Sequence, residues 1–505
     1  MTLLQDAASP LAQRATTLLV GTALAYFAVV GAIGVWASRR THSVTDFYVA
    51  GRRLGLWTVA IASMAATISG FSFIGGPGFV YNFGFGAVFI VLPLSVTATM
   101  SAWVLGTRLR SLAELRGVIT VPDAIGVRYR SPSAQGLAGI AIVIAVVGYL
   151  ATNVMALGIV LDGIFGTGLV IGIWIGMLVT LAYSATGGIL AGVYADLFQG
   201  GVMLVVSSLV FLFVLDAGNG LDGISHAILA ADPEFLSPWG KFTPLAALSL
   251  FFVFGLGSLG QPHVVHKFYM IRDARRLRWY PVVMTASMVL AQLLFIGVGL
   301  AVKALVARGE LAPLARPDDA TPTFLLGYTP ALLAALAFSG VAAAIMSTVN
   351  SFLSVGAAAL THDLPIAFGK RMTNELRWGR LATVLIAVVA AVVATLSNTV
   401  VAFLGIFGFG LFASTMVPAL AIGLNWRGAT RAGAIASIAS GLVITLGLET
   451  LAYFRVFRFP AGVTASALAL TASILVFGAV SVATRRHAAA DLDSDIAAII
   501  EGDRE

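Results

Sequence analysis

The chain has 505 residues, 59% of them hydrophobic and 10% charged, with a mean hydropathy of +0.96 and a formal net charge of +7. Soluble domains carry roughly 25% charged residues, so this composition excludes a soluble globular, disordered, collagen-like or coiled-coil protein and points to a polytopic α-helical membrane protein. The sequence has no cysteine, which excludes disulfides, thiolate nucleophiles, zinc–cysteine sites and iron–sulfur clusters.

A membrane span needs about 20 apolar residues, and stretches free of Asp, Glu, Lys and Arg locate the spans in chain order. Residues 15–38 supply the first; it is too long for a signal-peptide core and precedes Arg39-Arg40, so it reads as retained. Residues 54–107 hold two, parted near Asn82-Phe83-Gly84, and 131–161, 163–195 and 197–215 hold one each. Residues 242–266 and 279–302 follow, then one long helix in 320–362 after a Thr-Pro-rich lead-in. Residues 381–426 hold two, parted at Ser397-Asn398; 432–448, running on past Glu449, and 459–484 hold the last two. Thirteen spans result, with twelve and fourteen as alternatives.

Charge placement favours thirteen, because basic residues collect in short cytoplasmic loops. With the N-terminus outside and the C-terminus inside, only Arg14, Lys241, Lys303, Arg308, Arg316, Arg455 and Arg458 of the 30 lysines and arginines stay outside. The basic excess is then a topology signal, and nucleic acid is not an expected partner. The chain divides into a leading helix and loop (1–53), a first five-span block (54–216), an extracellular loop (217–243), a second five-span block (244–426), two trailing spans (427–486) and a tail (487–505). The acidic tail is expected to be a solvated extension. No obligate protein partner is evident.

Two spans are expected to break. Ala65-Ala66-Thr67-Ile68-Ser69-Gly70-Phe71-Ser72-Phe73-Ile74-Gly75-Gly76-Pro77-Gly78 and Phe254-Gly255-Leu256-Gly257-Ser258-Leu259-Gly260-Gln261-Pro262 place glycine, proline and hydroxyls where leucine would suit lipid. They open the two five-span blocks, and five is odd, so the blocks would be inverted copies. Broken helices at matching places in two halves mark the site of a transporter; close packing by small residues would explain either segment alone.

The ninth span adds hydroxyls: Ser347 and Ser351 are four apart, as are Ala344 and Thr348, on adjacent strips of one helix face. Hydroxyls together with free carbonyls from a broken neighbour suit a hard monovalent cation; the alternative is back-bonding to their own helix. Asp196, near the start of the sixth span, is an intramembrane carboxylate that either binds a cation or pairs near the inner interface. The histidines map to loops or span ends, and no buried lysine or arginine is expected to pair with the carboxylate of an acidic solute.

These residues resemble the sodium:solute symporters over nearly the whole chain. Asp46-Phe47-Tyr48-Val49-Ala50-Gly51-Arg52, Ser72 to Gly78, Tyr183-Ser184-Ala185-Thr186-Gly187-Gly188, Gly260-Gln261-Pro262-His263, Met346-Ser347-Thr348 and Thr361-His362-Asp363-Leu364 carry the likeness, closest to the pantothenate and proline branch. The resemblance implies an all-α, leucine-transporter-like five-plus-five inverted repeat and Na+-coupled symport of a small organic solute by alternating access, with no cofactor besides the coupling ion. It implies a sodium site from the carbonyls of Ala65, Ile68 and Ala344 and the hydroxyls of Ser347 and Thr348. A second cation would use Asp196, Asn350 and Ser351, with asparagine where relatives carry serine. Substrate candidates are Thr67, Ser69, Ser72, Phe254, Ser258 and Asn153. Proline carriers differ at Thr67, Phe254 and Ser258, which leaves the solute open. A proton-coupled carrier and a transporter-like sensor are the alternatives; a membrane enzyme would need clustered intramembrane acids, bases or a Ser/Lys pair.

Overall fold

The computed structural model describes residues 10–40, 50–370, 372–397, 401–454, 456, 463–486 and 492–501. Asp46 to Val49, and the side chains of Tyr183 to Gly188, lie outside the described part, so those two motifs have no structural account.

Among the described residues the regular elements are helical. In chain order they are α1 (Pro10–Ser38), α2 (Leu56–Thr67), α3 (Gly76–Phe83), α4 (Val88–Ser101), α5 (Thr107–Arg116), α6 (Val121–Arg128), α7 (Pro132–Phe165), α8 (Leu169–Gly218), α9 (Gly220–Ala231) and α10 (Pro244–Gly257). They continue with α11 (Pro262–Val265), α12 (Tyr280–Ala307), α13 (Ala320–Tyr328), α14 (Ala331–Ala358), α15 (Leu364–Ala367), α16 (Glu375–Leu396), α17 (Val401–Met416), α18 (Arg431–Tyr453), α19 (Ala465–Ala483) and α20 (Ser494–Glu501). Among the described residues ten helical stretches are long and apolar enough to cross a membrane, and a further bent pair, Pro244–Gly260 with Pro262–Met270, turns by 40° at Gln261.

Local sequence starts these helices. The side-chain hydroxyls of Thr120, Ser131, Thr243, Thr430 and Thr464 each accept from the N–H three residues on, satisfying donors that a helix start leaves orphaned. Pro132 and Pro244 take first-turn positions whose N–H has no helical partner. The turn expected at Asn82-Phe83-Gly84 is present: α3 ends at Phe83, and Gly84 adopts φ +81°, a region that favours glycine.

α14 lies at the centre, packed on α8, α1, α7, α16 and α2. Its Ala, Ser and Gly residues allow that close approach, as small residues do in membranes. α12 packs on α2, α3 and α4, and α17 on α7 and α10. The start of the first broken segment is tied to the end of the second by backbone bonds, Leu54 N–H to Met270 O at 3.1 Å and Arg272 N–H to Leu54 O at 2.9 Å.

Two expectations are corrected. The boundary expected between 195 and 197 is absent, because the backbone is helical from Leu169 to Gly218. A straight helix of that length would run about 75 Å, far beyond a hydrocarbon core of about 30 Å. Its apolar stretches are Leu169–Leu181 and Gly192–Gly218. The acidic tail is not a solvated extension: Ile496, Ile499 and Ile500 of α20 are buried. Their i, i+3, i+4 spacing makes one apolar face. Arg116 holds Asp493 at 2.6 Å and Asp495 at 3.3 Å, and Arg427 pairs with Glu501.

Candidate functional site

The first break follows α2. Thr67 ends the helix, and Ile68 turns to an extended conformation (φ −77°, ψ 115°) before a π-helical turn, Phe71–Gly75, leads into α3. Its freed backbone groups must find partners inside the protein. Asn153 of α7 supplies one: its Oδ1 accepts from Gly70 N–H at 2.9 Å, while its Nδ2 donates to Tyr149 O at 2.9 Å. Ser69 supplies another, its Oγ accepting from Phe71 N–H at 3.2 Å and lying 3.3 Å from the Tyr149 hydroxyl. Gly70 is needed here, since a Cβ would lie 2.7 Å from Ala156 Cβ and 3.1 Å from Ile345 Cγ1. Asn153 and Ser69, expected as solute ligands, thus also hold the break open.

Opposite this break, α14 presents Ser347 and Thr348, both fully buried. Ser347 Oγ lies 2.8 Å from Ala65 O and 3.0 Å from Ala344 O. Thr348 Oγ1 lies 3.1 Å from Ala66 O, 3.3 Å from Ile68 O and 3.0 Å from Ala344 O. Two hydroxyl protons therefore face four carbonyl oxygens, and each hydroxyl can donate once. Acceptors outnumber donors in a buried place, and three of the carbonyls lie where α2 ends, the negative end of a helix dipole. Such a cage suits a monovalent cation stripped of water and contains no fixed charge.

The second break is built differently. α10 ends in a tight turn, Ser258–Gly260, and Gln261 is extended (φ −79°, ψ 103°) before α11 begins at Pro262. Gln261 bridges its own break, Nε2 lying 3.1 Å from Gly257 O and 3.2 Å from Phe409 O of α17. Phe254 stacks between Phe71 (centroids 5.9 Å apart) and Phe409 (4.5 Å). Thr67 and Ser258 bond back to their own helices, to Ser63 O at 2.8 Å and Phe254 O at 2.6 Å. Ser72 Oγ is buried and has no hydrogen-bond partner among the described residues. The two breaks thus meet through Phe71 and Phe254. Tyr149, Gln261 and Phe409 were not anticipated; the Gln-Pro step was visible, but no local pattern pairs it with Phe409.

The third cluster corrects the sequence reading most. Asp196 Oδ2 lies 2.7 Å from Lys267 Nζ, with the side chains 2% and 5% exposed. Lys267 Nζ also donates to Ala62 O of α2 at 2.7 Å. Lys267, assigned to an inner loop, is buried because the bent span continues to Met270 and carries it beneath α2. Asn350 and Ser351 do line one cavity with Asp196, as expected, but Lys267 lines it too. Arg110 and Arg128 are also buried, donating to the carbonyls of Ile271 and Gly423. Elsewhere, Thr120 Oγ1 and Gln135 Nε2 donate to Asp363 Oδ1 at 2.7 and 3.0 Å. Tyr269 donates to Thr120 O at 3.1 Å. The segment before α6 is therefore bonded to the ends of both the bent span and the α14 span.

Residues 47–441 match the sodium:solute symporter family. The osmoregulated proline transporter OpuE of Bacillus subtilis (strain 168) is 27% identical over 83% of this chain and 86% of its own length. The high-affinity proline transporter PutP of the same organism is 28% identical over 81% and 87%. The sodium/proline symporter 2 of Staphylococcus saprophyticus is 28% identical over 83% and 84%. Among solved structures, an outward-open, substrate-bound Na+-coupled sialic acid symporter aligns with TM-score 0.76 at 15% identity, covering 92% of this chain and 98% of that one. A nucleobase-cation-symport-1 family transporter aligns with TM-score 0.58 at 14% identity, covering 91% and 99%. The all-helical fold is shared with these transporters. The chain belongs to the sodium:solute symporter family: it is a multi-pass membrane transporter that couples a solute to sodium, and not an enzyme.

Proposed function

We propose that the coupling ion binds in the cage of Ala65, Ile68 and Ala344 carbonyls and Ser347 and Thr348 hydroxyls. The observation that carries this is the excess of buried acceptors over protons between α2 and α14. A sodium ion there would bind the unwound end of α2 to α14 and set Phe71 and Ser72, just past the break, for the solute. Ser72, with its unpartnered hydroxyl, and the Phe71–Phe254–Phe409 stack are the solute contacts; Thr67 and Ser258 contribute by shape. A small amino acid of proline's size is the first candidate, supported by the names of the relatives and by the apolar stack beside polar backbone.

The topology that serves this function is thirteen spans, N-out and C-in, in two inverted five-span blocks (54–216 and 244–426) with one leading and two trailing helices. The pairing of breaks at Ile68–Gly70 and Gln261, each opening one block, supports it. Transport is by alternating access. One cation crossing 100 mV releases about 2.3 kcal/mol, and a tenfold sodium gradient adds about 1.4 kcal/mol. Together these drive a several-hundred-fold accumulation of a zwitterion at one ion per solute. A proton-coupled cycle would need Asp196 as its titrating group, and Lys267 already pairs with that carboxylate.

The test is uptake of radiolabelled proline and a panel of small amino acids into proteoliposomes under an imposed sodium gradient. The expected result is accumulation that stops when potassium replaces sodium, with at least a tenfold rise in half-saturating sodium for Ser347→Ala. Uptake driven by a pH gradient and indifferent to sodium would overturn the proposal.

A further inference from the structure

Gln292 of α12 is buried, and neither its Oε1 nor its Nε2 has a hydrogen-bond partner among the described residues. Other buried carboxamides tie the fold together: Asn153 holds the first break, Gln261 bridges the second, and Gln135 donates to Asp363. Gln292 makes no such tie. A carboxamide has two donors and two acceptor lone pairs, and leaving them unmet away from water costs stability. Such a group in a native fold points to a role other than packing.

Its place on the helix shows what it lies beside. Gln292, Phe295 and Gly299 form one strip of α12, at i, i+3 and i+7. A Cβ at Gly299 would lie 2.6 Å from Pro77 O, and a Cβ at Gly76 would run into the Phe295 ring. The Phe295 and Phe71 rings are 5.9 Å apart. The strip thus follows the first broken segment from Pro77 back to Phe71, and Gln292 is its next position, one turn closer to the break at Ile68–Gly70. Ser72, next to Phe71 in the chain, carries a second buried hydrogen-bonding group without a partner.

We infer that Gln292 is a specificity-determining residue whose uncharged carboxamide selects a zwitterionic solute over an anionic or cationic one. Nε2 donates to the solute carboxylate and Oε1 accepts from its ammonium. An α-amino acid carries both groups on one carbon, so the two ends of one amide can meet them together. The free transporter bears the cost of the unmet amide, and the solute relieves it on binding. A buried site with both a donor and an acceptor discriminates strongly against a solute that meets only one of them. The inference rests on the proposed solute position beside Phe71 and Ser72 and states what the solute must carry there.

The experiment is sodium-driven uptake of radiolabelled proline into proteoliposomes, in competition with unlabelled proline, cyclopentanecarboxylate and pyrrolidine. The two analogues keep the five-membered ring and lack the ammonium or the carboxylate. In wild type each is expected to need at least about 100-fold more than proline for half inhibition. In Gln292→Met the half-saturating proline concentration is expected to rise at least about tenfold, and Gln292→Asn, which keeps the amide, is expected to fall between. Melting temperatures separate recognition from structure. Removing an unmet buried amide without loss of length should leave Gln292→Met as stable as wild type or more stable, with the same sodium-specific rise. A lower melting temperature for Gln292→Met, or an unchanged half-saturating proline concentration, would make Gln292 structural and overturn the inference. Inhibition by cyclopentanecarboxylate or pyrrolidine as strong as by proline would overturn the selection of a zwitterion. Sodium-driven uptake of a monoanion, with none of proline or the amino acid panel, would instead overturn the solute reading on which the inference stands.

Discussion

Two oxygen-rich clusters sit along α14, less than a turn apart in sequence, and they treat charge in opposite ways. The upper one, at Ser347 and Thr348, is neutral, crowded with carbonyls and short of protons. The lower one, beside Asn350 and Ser351, contains a carboxylate and its own ammonium. Burial makes both costly unless satisfied. On the proposed reading the first leaves its deficit to a mobile ion, whereas in the second a side chain, Lys267, meets the carboxylate. Residues of similar polarity on one helix face can thus form an exchangeable ion site or a permanent joint. What decides is whether a neighbouring element brings a positive charge.

Breaking the lower joint gives the largest expected effect. Removing one partner of a buried ion pair costs about 3–5 kcal/mol, so Lys267→Met should lose about that much in thermal unfolding in potassium buffer. Asp196→Asn/Lys267→Met should regain most of it. Equal stability of Lys267→Met and wild type would mean the pair is not formed. The upper cluster comes next. Ligand linkage adds about 2.7 kcal/mol when sodium stands 100-fold above its dissociation constant. Thr348→Ala should lose that sodium-specific gain, whereas Ser351→Ala, one turn below, should keep it. Loss in both would merge the clusters into one site.

Asn153→Ala sharpens the picture further, since it strands the buried N–H of Gly70. A cost of about 1–3 kcal/mol is expected, with sodium present or absent, read from unfolding in both salts. The smallest effect concerns a buried carboxylate with no lysine. Asp318, in the segment before α13, accepts from Val401 N–H at 3.0 Å. Burial, outweighing that hydrogen bond, pushes its carboxyl up to about 6. The folded chain then binds more protons than the unfolded chain between the ordinary value near 4 and about 6. Stability should fall as pH rises through that window and level off above it. Asp318→Asn should flatten the slope; an unchanged pH profile would remove Asp318 as its source.

Much of this was legible in the sequence. The break at Ile68 was readable because glycine, proline and hydroxyls sit where lipid would favour leucine, and the hydroxyl strip because Ala344, Ser347, Thr348 and Ser351 share helical spacing. Asp196 stood out as an isolated charge. Lys267 did not: in a charge-free-stretch reading it ends a span, and only the 40° bend at Gln261 carries it inward. Phe409 and Asn153 meet the breaks from helices far along the chain, which periodicity cannot reveal. The tail was misread because its three isoleucines lie among acidic residues, and the arginines that receive those acids, Arg116 at the end of α5 and Arg427 before α18, are distant in the chain.

The most direct test of the central claim is the melting temperature of purified protein in sodium against potassium at equal ionic strength, for wild type and Ser347→Ala. A sodium-specific rise in wild type that disappears in Ser347→Ala is predicted. A rise of the same size in both proteins would contradict the placement of the ion between α2 and α14.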